Sequence, residues 1–183
     1  MLGFNTSTIY TDFFEWYFGP YLGKHADPKS GYWCENPDWA PPHVQCLGGA
    51  FHLFFVYRWL SRDFPFPNAS LASSASLQNP TTGLWGSYPP NYIDLDGLYG
   101  VTRSAAQVGQ AGGAVVQKAC NAYLASAHKA LTDPSIVIHG AYAADTHNLP
   151  AAVAGVAECA KWLPHSVVTK RPWKFPLDYA PFI

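Results

Sequence analysis

Two carboxylates two residues apart, Asp94 and Asp96, stand in the stretch NYIDLDGLYG. At a helix start such a pair diverges by about 200°, so one acid caps the helix while the other faces away. In a low-dielectric pocket a carboxylate pair splits its pKa values and leaves one acid protonated for general-acid work. An aspartate at a helix start is equally at home as a cap, offering its oxygens to free first-turn N–H groups. A second pair, Asp145 and His147 in ADTHNLP, joins a proton shuttle active near neutral pH to a carboxylate that orients its ring. That stretch is also a good cap ahead of Pro150. Asp94, Asp96, Asp145 and His147 are therefore the candidate catalytic residues.

The stretch HVQCLGGAFH adds His43, Cys46 and His52. His43 and Cys46 have a ligand-like interval but lack the second tight pair of a closed zinc site, so no metal or cofactor is assigned. Cys46 as a nucleophile needs a neighbouring base and a lowered pKa, and a buried inert thiol is its alternative. Trp39, Tyr88, Tyr92 and Tyr99 gather on the approaches to these stretches, where rings can stabilise a cation or stack on a sugar. With His43 and His52 they are the candidate substrate-binding residues. No phosphate-cradling glycine loop, G-x-S-x-G elbow or H-E-x-x-H is present.

Helices must position these groups. The phrase DPKSGYW at 27–33 returns as NPTTGLW at 79–85, both reading Asx-Pro-x-x-Gly-x-Trp. Proline after Asx stops a helix, glycine permits the positive φ of a tight reversal, and the tryptophan packs back over the turn. A helix-compatible stretch precedes each copy (12–23 and 69–78). A polar, proline-bearing loop follows, and then a largely apolar segment (45–60 and 93–108). A third unit has its first helix at 114–131, rich in Ala, Leu, Lys and Gln, ended by Asp133-Pro134 without the Gly-x-Trp. Its second helix is expected at 149–162. The Asx-Pro pairs give a period of about 50 residues. The run FHLFFVY has strand-favouring residues, but it lies inside a segment of about 15 residues, too long for an ordinary strand. The expected fold is all-α: three hairpins, each with an outer helix, a Pro/Gly turn, a loop and a more buried inner helix. The tail from 164 to 183, with prolines at 164, 172, 176 and 181 and aromatics at 173, 175, 179 and 182, is expected to be an extended strap.

Composition narrows the function. The chain has 183 residues, 49% hydrophobic, 16% aromatic and only 13% charged, with a formal net charge of −1, so it has material for a core and no electrostatic footprint for nucleic acid. The most apolar run, 47–57, is too short to span a bilayer. No signal peptide is legible in residues 1–10. The four cysteines are scattered without C-x-x-C spacing, which fits reduced thiols and a cytoplasmic location. Asn5-Thr6-Ser7 and Asn68-Ala69-Ser70 match the glycosylation pattern, as chance triplets do.

Hairpins with Gly-x-Trp between outer and inner helices resemble the α/α-toroid proteins, above all the terpenoid cyclase and protein prenyltransferase group. Gln78, Gly83 and Trp85 match the Gln-to-Gly-x-Trp motif of squalene-cyclase-type enzymes, and Gly31 and Trp33 match it in the first unit, where the Gln is missing. The resemblance covers roughly 10–162 and implies a ring of helix pairs whose inner helices line a cavity. Class II terpenoid cyclases protonate an alkene with the middle Asp of Asp-x-Asp-Asp; here 94–97 reads Asp-Leu-Asp-Gly. Prenyltransferases hold zinc with Asp, Cys and His. Cys46, Asp94 and Asp145 occupy comparable places, though not in the family's order.

Three hairpins make an incomplete toroid. Residues 1–163 are therefore expected to be the C-terminal half of a larger ring, or a protomer that completes its core with a partner. The expected function is a toroid-type enzyme domain doing acid–base chemistry on a small hydrophobic, isoprenoid-type substrate. A glycan hydrolase or lyase of (α/α) barrel type and a non-catalytic helical-repeat binding module are the alternatives.

Overall fold

The computed structural model describes residues 11–178 apart from 35, 37 and 41, and every regular element among them is helical. A π-helical turn, Phe14–Phe18, runs without a break into α1 (Gly19–His25), and α2 (Val44–Trp59) follows. The second unit is α3 (Pro67–Ser76) and α4 (Tyr92–Gln107). The third is α5 (Ala114–Leu131) and α8 (Asn148–Trp162). Its connection, expected as a loop, holds two single-turn helices, α6 (Pro134–Val137) and α7 (Ala141–Ala144), the first capped by Asp133 accepting from Ser135 N at 2.9 Å.

The repeated phrase builds the same turn twice. Gly31 N donates to Asp27 O and Asp27 N to Tyr32 O in the first copy; Gly83 N donates to Asn79 O and Asn79 N to Leu84 O in the second. The Asx side chains accept from the backbone two and three residues on. Each tryptophan then donates its indole N–H to a carbonyl 11 residues upstream, Trp33 to Leu22 O at 2.7 Å and Trp85 to Ser74 O at 2.6 Å. Gly31 (φ +74) and Gly83 (φ +70) need the left-handed backbone that only glycine adopts freely.

Both glycines also serve the stacking of one unit on the next. A Cβ at Gly31 would come within 2.1 Å of Ser70 Oγ on α3, and one at Gly83 within 2.4 Å of Ala122 O on α5. Ser70 Oγ donates to Gly31 O, and Ser126 Oγ to Thr82 O, so each turn is tied to the outer helix of the following unit. The buried Ser70 belongs to one of the glycosylation-like triplets, where its hydroxyl has this structural task. Gln78 donates to Gly83 O at 2.9 Å and to Ala119 O at 3.0 Å, joining its own turn to α5.

Helix α4 is the centre of the molecule. It packs against α3, α2, α5 and α8, so the inner helices of the first and third units both flank it. The first outer segment reaches α2 through Phe14, whose ring stands edge-on to Tyr57 at 5.1 Å, and through Trp33, stacked on Tyr57 at 6.0 Å. Helices α4 and α8 are joined by a buried ion pair, Arg103 Nη2 to Glu158 Oε2 at 2.8 Å, while Thr102 and Trp162 donate to Glu158 Oε1. No helix of the described residues is long and apolar enough to cross a membrane.

Residues 164–175 form no helix. Trp173 packs on the core, Leu177 is buried in the short turn Pro176–Asp178, and Asp178 accepts from Lys161 at 2.6 Å. Tyr179 and Phe182 of the tail, and residues 1–10 with Asn5-Thr6-Ser7, lie outside the described residues.

Candidate functional site

The N-terminal turn of α4 separates its two acids. Asn91 caps the helix by accepting from Ile93 N, and Asp94 closes a capping box by accepting from Asn91 N at 2.8 Å. The other oxygen of Asp94 accepts from Trp85 N at 2.7 Å and Gly86 N at 2.9 Å. Asp94 is fully buried, and burial pushes its pKa up while those three N–H donors pull it down. With three backbone donors on its two oxygens, it ties the Gly-x-Trp turn to the inner helix.

Asp96 points elsewhere. It is 6% exposed, makes no hydrogen bond among the described residues, and lies where a Cβ on Gly48 would be 3.5 Å from its Oδ2. Burial, reinforced by the nearby Asp94 charge, raises its pKa to about 8. It lines a pocket of about 580 Å³ with Phe51 and His52 of α2, Tyr92 and Leu95 of α4, and Thr146, His147, Pro150 and Ala151 at the start of α8. All three inner helices contribute to this pocket. A buried acid without a partner among the described residues, in a pocket rimmed by two exposed imidazoles, has the parts for donating a proton to a bound molecule and for relaying it to solvent.

Asp145 and His147 touch, with His147 Nδ1 and Asp145 Oδ1 at 3.3 Å and the backbone N of His147 donating to the same oxygen at 2.8 Å. That backbone donor, and then the imidazole, hold the Asp145 pKa below the usual carboxylate range. Only His147 of the pair lines the Asp96 pocket. Asp145 lines a neighbouring hollow of about 390 Å³ with Tyr88, Asn91 and Asn148, and Tyr92 borders both.

Four other candidates do not line the Asp96 pocket. Tyr99 is fully buried, stacked on Phe55 at 4.8 Å, and belongs to the core because its position on α4 faces α2. Trp39 and His43 stack on one another at 5.0 Å in the loop ahead of α2, where His43 Nδ1 caps the helix by accepting from Gln45 N. Tyr88 lies under the Lys129 ammonium at 5.5 Å. The expected free thiol at Cys46 is instead joined to Cys34, which corrects the reading of four reduced cysteines; Cys120 and Cys159 are free and buried. No group of three potential metal ligands occurs among the described residues.

Sequence reasoning missed Phe51, Leu95, Thr146, Pro150 and Ala151 as pocket-lining residues. Their signal was proximity, each lying within a few positions of a candidate acid or imidazole. No protein-family model matches the chain, and no curated protein or solved structure matches it.

Proposed function

We propose that the chain is an enzyme domain in which Asp96, held protonated by burial, acts as general acid on a small, largely apolar substrate bound among α2, α4 and α8. His52 and His147 at the rim exchange the proton with solvent. The observation that carries this reading is Asp96 itself: buried, free of hydrogen bonds among the described residues, and lining a pocket to which all three inner helices contribute. Phe51, Leu95, Pro150 and Ala151 favour an apolar, isoprenoid-like body, with His52, Tyr92, Thr146 and His147 beside Asp96 as the polar groups that would orient it. A glycan hydrolase would also need a second acid across the pocket, and Asp145 lines a different hollow.

The same reading has the three hairpins as an arc of an α/α toroid, with residues 164–183 as a strap across it. Further hairpins or a second protomer complete the ring. The exposed aromatic side chains of the first unit, Phe13, Trp16, Tyr17 and Tyr21, are the apolar surface such a neighbour would cover. A binding module without catalysis is the second reading. Asp94 and Asp145, both engaged with backbone N–H groups, favour it.

The test is a turnover screen of prenyl and terpenoid alcohols, olefins and glycosides with wild-type protein beside Asp96→Asn. Conversion of an apolar substrate that falls at least a hundredfold in the variant supports the enzyme reading. Saturable binding of the same compounds with no turnover by either protein supports the binding module.

A further inference from the structure

The opposite ends of the inner helices enclose a second cavity, of about 420 Å³, that shares no lining residue with the Asp96 pocket. Four cations line it: Arg58 near the end of α2, Arg62 just beyond, Arg103 on α4 and Lys161 near the end of α8. Asp63 is the one acid among the described lining residues, and Phe54, Phe64 and Trp162 supply apolar wall.

Cations at helix C-termini interact favourably with the helix dipole, and three of these four have partners. Arg62 pairs with Glu15, Lys161 with Asp178, and Arg103 with Glu158 and, at 3.2 Å, Asp178. Two observations exceed that account. Arg58 makes no ion pair or hydrogen bond among the described residues, although it lines the cavity. Among the described residues, Arg103, 6% exposed, leaves its Nε without a partner, and the hydroxyl of the fully buried Tyr99 beside it is also unsatisfied. The Arg103 guanidinium lies 4.8 Å from the Tyr99 ring centroid, and of the two residues Arg103 lines the cavity. Leaving buried donors unpaired is costly, and an oxyanion is the acceptor that suits a guanidinium best.

We infer that this cavity binds a small anion, a phosphate- or carboxylate-bearing molecule, between Arg58, Arg103 and Lys161, with Trp162 and Phe54 against its body. The site is independent of the Asp96 pocket and stands whether or not that pocket is catalytic.

Isothermal titration of the full chain with inorganic phosphate, pyrophosphate and succinate, at ionic strength fixed with sodium chloride, tests this. Saturable binding by at least one of them is expected, and the phosphate and carboxylate arms distinguish the two sources of the oxyanion. Arg58→Gln removes an exposed cation that has no ion pair among the described residues, leaves the core undisturbed, and is expected to weaken binding roughly tenfold. Asp63→Asn is expected to strengthen it. Melting curves of both variants, unchanged without ligand, establish that the fold is intact. No saturable binding by any of the three anions, or equal affinity in wild type and Arg58→Gln, overturns the inference.

Discussion

Cys46 and Asp94 hold the same place in successive units, the third residue of the inner helix, and both fasten it to the segment that follows the turn tryptophan. Asp94 does so by accepting from Trp85 N and Gly86 N; Cys46 does so through its disulfide with Cys34, the residue after Trp33. A charge-assisted tie in one unit is a covalent one in the other. Asp94→Ala should therefore cost about 2–4 kcal/mol, since it strands buried N–H donors. Reduction of the first unit should cost on the order of 2–3 kcal/mol. Urea denaturation with and without reductant checks both; a reductant effect that persists in Cys34→Ser/Cys46→Ser would remove the disulfide from the account.

Asp96 makes stability depend on pH. Its folded pKa, about 8, lies above the usual aspartate value, so the folded state holds a proton that the unfolded state releases. The Asp96 contribution to stability is then greatest below about pH 4, falls as pH rises toward 8, and levels off beyond. Each pH unit in that window is worth about 1.4 kcal/mol at most. Asp94, also raised, adds to the slope with the same sign. Asp96→Asn should flatten the profile and be the more stable protein at pH 8.5, as read from urea midpoints. An identical slope in the two proteins would show that Asp96 ionises normally.

The repeated turn can be weighed residue by residue. Gly83→Ala forces an unfavourable φ and drives a methyl into the Ala122 carbonyl, so it should cost more than 2 kcal/mol, roughly the sum of a strained backbone and a displaced helix. Trp85→Phe should cost more than Trp33→Phe, because Trp85 is the more buried of the two indoles. Thermal melts of the three variants rank them; a neutral Gly83→Ala would mean that the turn does not need its left-handed residue.

Glu158 gathers Arg103, Thr102 and Trp162 at one buried carboxylate. Glu158→Gln should cost about 3–5 kcal/mol by leaving the Arg103 charge buried and less well paired. The double variant Arg103→Met/Glu158→Leu should recover most of that loss. A double-mutant cycle by chemical denaturation measures the coupling, and strict additivity would contradict the pairing.

Much of the fold was legible because turn chemistry is local. Asx-Pro-x-x-Gly-x-Trp carries its own stop, reversal and anchor, and the helix at 114–131 has both composition and a terminating Asp-Pro. The site was legible in part. Asp96 and His147 announced themselves as chemistry-bearing residues at helix starts, but separating Asp96 from Asp94 required knowing which backbone donors each acid meets. Tyr99 misled because an aromatic ring lining a cavity and one filling a core have the same spacing on a helix. The Cys34–Cys46 pair was missed because the loop that brings the two thiols together has no periodic pattern. The cationic cavity was invisible because Arg58, Arg103 and Lys161 are distant in sequence and meet only where three helices end.

The most direct measurement is a carbon-13 NMR titration of the Asp96 side-chain carboxyl, assigned by its loss in Asp96→Asn. A midpoint near pH 8 is the expected result, with Asp96 largely protonated at neutral pH and able to donate. A midpoint near 4 would mean that the carboxyl is solvated or paired, and the general-acid assignment would be lost with it.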